Sequence, residues 1–280
     1  MLHPLNVRIA GRLEETADLL EEQRANPFRA RAYRRAAETV RSHPRSMREL
    51  AEARGMEGLR ELPGVGESLA RSIFALAVTG RLPMLDRLRG EADPVALLRT
   101  VPGIGRITAE RIHHDLDIDT LEELEVAAHD GRLADILGIG KKRLGGIVDS
   151  LQARLGAVRG GERAPADAEP PVSELLDVDR EYRDRAAAGE LRRIAPRRFN
   201  PGHEAWLPVL HTQRGERHYT ALFSNTARAH QLGATRDWVV LHCDGGCGER
   251  QYTVITSHWG PTAGRRIVRG RQDEGSPASR

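Results

Sequence analysis

Three short segments of this chain can hold an anion with backbone alone. They are Leu62-Pro63-Gly64-Val65-Gly66, Val101-Pro102-Gly103-Ile104-Gly105 and Ile136-Leu137-Gly138-Ile139-Gly140, and each leads into a helix. Two helices joined by a glycine turn bare the N–H groups at the second helix's start, and bared amides seat a phosphate oxygen. The candidate backbone contacts are Gly64, Val65 and Gly66, then Gly103, Ile104 and Gly105 with Arg106 and Thr108 beside them, then Gly138 and Gly140 with Lys141 and Lys142. Each copy carries a leucine five residues before its first glycine (Leu59, Leu98, Leu133) and an isoleucine nine after it (Ile73, Ile112, Ile147). The first glycines lie 39 and 35 residues apart, a repetition that describes a surface following a nucleic-acid backbone.

Other residue groups spell chemistry less fully. Asp177-Val178-Asp179 has the spacing of a two-metal carboxylate pair, but it stands among Arg180, Arg183 and Arg185 in a polar helical stretch. His242, Cys243, Cys247 and His258 could ligate zinc. Asp244-Gly245-Gly246 reads instead as a hairpin turn that sets the two cysteines opposite each other, so zinc at Cys243 and Cys247 is the weaker reading. Trp206, Tyr219, Phe223, Trp238, Tyr252 and Trp259, interspersed with arginines, could stack bases, although a small sheet needs such aromatics for its core. Residues 24–48 hold Arg24, Arg29, Arg31, Arg34, Arg35, Arg41, Arg45 and Arg48 against Glu38 alone. Residues 1–157 balance 24 basic against 24 acidic side chains, so this basic run focuses positive potential locally.

The elements that position these groups change character along the chain. Residues 1 to about 156 read as nearly all helix. Val7, Ile9, Leu13, Ala17 and Leu20 form one apolar stripe, and Asn26-Pro27 opens a helix with Phe28, Ala32, Ala36 and Val40 on one face. Ser46 to Arg54 is a third helix, and Thr120 begins a capping box. Beyond the linker the period becomes two, giving strands at 206–211, 218–223, 238–242, 251–256 and 266–268 and a helix near 225–232. The fold class is multidomain: an all-α helix-hairpin-helix N-terminal region and a small α+β C-terminal domain. Its expected parts are 1–80 with the first hairpin, 81–156 with the tandem hairpins, a linker at 157–172, the sheet domain at 173–271 and a disordered tail at 272–280.

Composition bounds the class. The 280 residues carry a net charge of +3 and are 39% hydrophobic, without an apolar run near the ~20 residues of a membrane span. No apolar signal core opens the chain, and two cysteines build no disulfide framework, so a reducing cytoplasm is the expected home. Only Lys141 and Lys142 are lysine; every other basic residue is arginine, which grips phosphate bidentately and forms no Schiff base near neutral pH.

The segment Asn26-Pro-Phe-Arg-Ala-Arg-Ala-Tyr-Arg-Arg-Ala-Ala37, followed by the Pro-Gly-Val-Gly and Pro-Gly-Ile-Gly hairpins, resembles the N-terminal region of family X DNA polymerases over residues 5–155. That resemblance implies a pocket for the 5′-phosphate of a DNA gap at Arg29, Tyr33, Arg60 and Ser68. It also implies an alkali cation, Na+ or K+, on the backbone carbonyls of Leu62, Val65, Val101 and Ile104. Family members that excise a sugar-phosphate use a lysine on the helix after the first hairpin; here those positions are Ser68 and Ser72, and serine forms no imine. No counterpart of the polymerase palm or of the bacterial phosphoesterase domain is legible. The expected function is sequence-independent gripping of gapped, nicked or junction DNA in repair. The alternatives are a lyase or a C-terminal nuclease, and a scaffold that recruits a repair partner through the C-terminal domain.

Overall fold

A computed structural model describes residues 3–90, 94–116, 118, 121–129, 131–156, 169–245, 249–258 and 262–271. Thr120, Cys247, Trp259, most of the linker and the tail lie outside the described residues. The chain forms two compact units, Met1–Glu91 with Ala164–Arg280, and Ala92–Arg163.

The first unit opens with five helices: α1 (Pro4–Glu22), α2 (Pro27–Ser42), α3 (Met47–Arg60), α4 (Glu67–Thr79) and α5 (Pro83–Leu88). Ile9, Leu13, Ala17 and Leu20 of α1 are buried at helical spacing, whereas Val7 is exposed and stands off the stripe. In α2 the Asn26 side chain caps the Phe28 amide and Pro27 fills the first turn. The face of α2 differs from the sequence expectation. Ala30, Tyr33, Ala36, Ala37 and Val40 are buried, while Phe28 is 71% exposed beneath the Arg31 guanidinium. Tyr33 belongs to that buried face, and its hydroxyl meets the Ser72 hydroxyl across the core at 3.3 Å. Helix α3 breaks at Gly55, whose φ of +59° ends one helical run and starts the short one that feeds the first hairpin.

Buried Asn6 ties these helices together. Its amide donates to the carbonyls of His43 and Arg45, and its Oδ1 accepts from the Met47 amide. The α2–α3 connection is thereby satisfied from inside.

The same unit closes with α10 (Val172–Ala187) laid on a six-stranded antiparallel meander in the order β1-β2-β3-β4-β5-β6. The strands are β1 (Arg192–Ile194), β2 (Leu207–Arg214), β3 (Arg217–Phe223), β4 (Val239–Asp244), β5 (Glu249–Thr256) and β6 (Arg266–Val268), with α11 (Ala227–Gln231) between β3 and β4. Leu175, Val178 and Tyr182 of α10 pack on Leu210, Tyr219, Ala221, Leu241 and Val254. Tyr219 and Tyr182 are fully buried, and Phe223 and Tyr252 border the same core, so most of these aromatics serve packing.

The second unit holds α6 (Pro94–Leu98), α7 (Arg106–Leu116), α8 (Leu121–His129), a 3-10 turn (Arg132–Asp135) and α9 (Lys141–Gly156). Leu98, Ile112, Leu133 and Ile147, the residues in register with the glycines, are all fully buried, as are Leu59 and Ile73 in the first unit. Among the described residues no helix is long and apolar enough to cross a membrane.

Candidate nucleic-acid interface

The three hairpins share one backbone construction. Gly64, Gly103 and Gly138 take φ of +76°, +89° and +100°, a conformation that costs any other L-residue about 1 kcal/mol or more. Val65, Ile104 and Ile139 each donate an amide hydrogen to the carbonyl three residues back, at 3.0 Å in every copy. The helix then begins with Ala70, Ala109 or Leu144 donating to Gly66, Gly105 or Gly140, at 2.9 Å in every copy. Leu62, Val65, Val101, Ile104, Ile136 and Ile139 are buried and anchor the turns while the glycines, and Leu137 of the third copy, face solvent.

The second glycine of each copy answers to no demand of the fold. Gly66, Gly105 and Gly140 have no positive φ, and a Cβ built on any of them meets nothing within 4 Å. Gly66 precedes α4 without a side-chain cap, so the first amides of that helix face outward unclaimed by a capping oxygen.

Charge differs between the copies. At the first, Glu67 opens α4 and binds Arg60 at 3.0 Å and Arg71 at 2.9 Å. At the second, exposed Arg106 opens α7 and pairs with Glu110 at 2.9 Å, one turn on. Thr108 is half-buried beside it. At the third, Lys141 opens α9, Lys142 is exposed, and Arg111 and Arg143 donate to the carbonyls of Leu137 and Gly138. The second and third copies therefore offer amides beside cations.

The four residues assigned to a 5′-phosphate pocket meet only in part. Arg29 and Ser68 converge on one group, the Asp244 carboxylate, at 3.3 and 2.5 Å. Tyr33 lies in the core, its hydroxyl on Ser72 and its pKa raised by burial. Arg60 is held by Glu57 at 2.8 Å and by Glu67. The wider basic run is also partly answered: Arg34 pairs with Asp18 and Glu21, and Arg41 with Glu14. These acids lie on α1, outside the window in which the sequence shows Glu38 alone. Arg41 holds the Glu14 carboxyl below its usual range.

Asp244 was not visible as a partner in the sequence. It ends β4 as part of a polar interface between the sheet and the helices of the first unit. Gln23 donates to the Leu88 carbonyl and its oxygen meets His211 at 3.0 Å. Asn26 donates to Gln213, Arg87 pairs with Glu249, and the Arg197 amide donates to the Gly90 carbonyl. A cavity of about 210 Å³ opens there, lined among others by Asn26, Arg29, His211 and His218. Burial, with Arg29 and Arg87 adding to it, pushes the His211 pKa down to about 3.

The remaining candidates are structural. Asp179 is buried and receives a two-pronged contact from Arg266, at 3.0 and 2.6 Å, and Asp177 is held by Arg214 and Arg180. In the β4–β5 ladder Cys243 sits opposite Arg250 and Asp244 opposite Glu249, so Asp244 still belongs to β4 and the connection is one residue longer than the turn Asp244-Gly245-Gly246 implies. Cys243 is buried, and burial raises its thiol pKa to about 11. Among the described residues no group of three or more His, Cys, Asp or Glu could hold a metal ion.

Residues 4–82 match the model of the helix-hairpin-helix domain family, and residues 95–153 that of the SAM-like helix-hairpin-helix tandem. Over 192 residues, 65% of the chain, the sequence is 25% identical to the DNA polymerase/3′-5′ exonuclease PolX of Bacillus subtilis (strain 168). The alignment spans 31% of that protein's length. The helical part of this chain is a helix-hairpin-helix region of the kind X-family polymerases carry.

Proposed function

We propose that this chain grips the phosphate backbone of DNA, without reading bases, at gaps, nicks and single-strand junctions, in a repair setting. One observation carries the reading: three turns of equal geometry each keep a second glycine that neither backbone angle nor packing requires. A side chain there would stand between the helix's first amides and a ligand. Phosphate is the ligand such amides suit, and backbone contacts to phosphate carry no base identity. The basic openings of α7 and α9 favour the second and third hairpins as the main grip. The hairpin carbonyls of Leu62, Val65, Val101 and Ile104 are neutral oxygens of the type an alkali cation accepts, and such an ion would join them to a phosphate.

Gly105→Asp and Gly140→Asp test the reading. Aspartate caps a helix slightly better than glycine, so folding stability holds or rises by roughly 0.3 kcal/mol at each site. The same carboxylate covers the amides and repels phosphate. Fluorescence anisotropy on a gapped duplex is expected to show binding weakened at least tenfold in the double variant, on the order of 1.4 kcal/mol. Unchanged binding by the folded double variant would exclude the hairpins as the grip.

A further inference from the structure

We propose that Asp244 is a built-in occupant of the first hairpin's phosphate seat, a carboxylate that the sheet domain holds where the 5′-terminal phosphate of DNA would bind. The inference rests on the reading that Arg29 and Ser68 bind phosphate. Both side chains that would grip an anion are already spent on this one: the Arg29 guanidinium at 3.3 Å and the Ser68 hydroxyl at 2.5 Å. The Arg29 and Asp244 side chains are only 10% and 12% exposed, so a second anion has no room beside the first. Ser68 stands in the first turn of α4, which places the carboxylate at the positive end of that helix, where an anion is favoured.

Charge then decides which DNA group can displace it. An internal phosphodiester carries one negative charge, as the carboxylate does, and gains nothing by the exchange. A terminal phosphomonoester carries about 1.5 to 2 charges and three acceptor oxygens, enough to satisfy Arg29 and Ser68 better than a carboxylate does. The contacts that hold the cap in place are polar ones, Gln23 with His211, Asn26 with Gln213 and Arg87 with Glu249, and polar contacts can exchange with water when the seat opens. The cap therefore taxes every ligand of the seat and is lifted by chain ends.

Full-length wild type and Asp244→Asn are titrated by anisotropy with one gapped duplex bearing either a 5′-phosphate or a 5′-hydroxyl. Removing the charge is expected to tighten binding of the phosphorylated gap by roughly fivefold or more and to leave the hydroxyl gap within about twofold. Adding Arg29→Gln to Asp244→Asn should cancel that gain. Glu249→Gln loosens the interface away from the seat and should move the phosphate preference the same way, by a smaller factor. It carries the test if circular dichroism shows Asp244→Asn unfolded. An equal gain on both ends, or no gain in the folded variants, overturns the cap. If the wild type still binds DNA in that case, the gripping function stands without the cap. If neither wild type nor variants bind any DNA at low salt, both readings fall.

Discussion

His211 donates from Nε2 to the Gln23 side-chain oxygen, and its Nδ1 lies 3.1 Å from the Thr220 hydroxyl, with Arg29 and Arg87 nearby adding positive charge. Gln23's own donor is engaged by the Leu88 carbonyl, which fixes its amide orientation and so the neutral tautomer of His211. A histidine held near pKa 3 when folded and near 6.5 when unfolded binds its proton only on unfolding across that interval. Stability is therefore full above about pH 6.5 and is lost as pH falls toward 3, by about 2 kcal/mol at pH 5. Urea titrations at pH 7 and pH 5 should show that difference, and His211→Asn should flatten it; an unchanged slope in the variant would remove His211 as the cause. Asn6 makes a second residue-scale case. Asn6→Ala leaves the buried Met47 amide without its acceptor and removes the donor to the half-exposed His43 and Arg45 carbonyls, and a loss of roughly 1–2 kcal/mol in chemical denaturation is expected. Neither residue was legible beforehand. A lone asparagine in an amphipathic helix and one histidine of eleven look like surface until their distant partners, His43 at 37 residues and Gln23 at 188, are known.

At the scale of elements, the hairpins were readable because they recur. A glycine forced to positive φ, flanked by buried aliphatics at fixed offsets, leaves the same mark each time. Of the face expected on α2, Ala36 and Val40 are buried and Phe28 is not, because its ring lies outside under the Arg31 guanidinium while Tyr33 fills the core. Strand β1 went unseen, since Arg192-Arg193-Ile194 shows no alternation and exists by pairing with β2. The spelling Asp244-Gly245-Gly246 suggests a turn that begins at Asp244, whereas Asp244 pairs with Glu249 and still belongs to β4. Gly90 gives the test at this scale. Its φ is +73°, and a Cβ would come within 2.7 Å of the Ala195 carbonyl oxygen. Gly90→Ala is expected to cost roughly 2 kcal/mol through strain and clash together, read as a melting temperature several degrees lower. An unshifted melt would mean that the α5–β1 junction yields freely.

For the whole molecule, the near-neutral total hides where charge is free to act. Arg34 and Arg41 of α2 are answered by α1, and Arg29 by the sheet, while exposed Lys142 stands at the opening of α9 in the second unit. DNA affinity should thus fall steeply with salt, and Lys142→Gln should lower the slope of log Kd against log salt by about 0.9, one counterion's worth. An identical slope would place Lys142 off the backbone. The division into a helical region and a sheet domain could be read from the change of period. The contact between them could not, because it is made of single polar pairs that leave no periodicity. Arg29 and Asp244 stand 215 positions apart. Ribosomes add about 5 to 20 residues each second, so Arg29 leaves the exit tunnel roughly ten to forty seconds before Asp244 does. A newborn chain thus spends its first moments with that arginine and Ser68 uncovered in the company of messenger RNA, and its quiet state is acquired only when synthesis is nearly done.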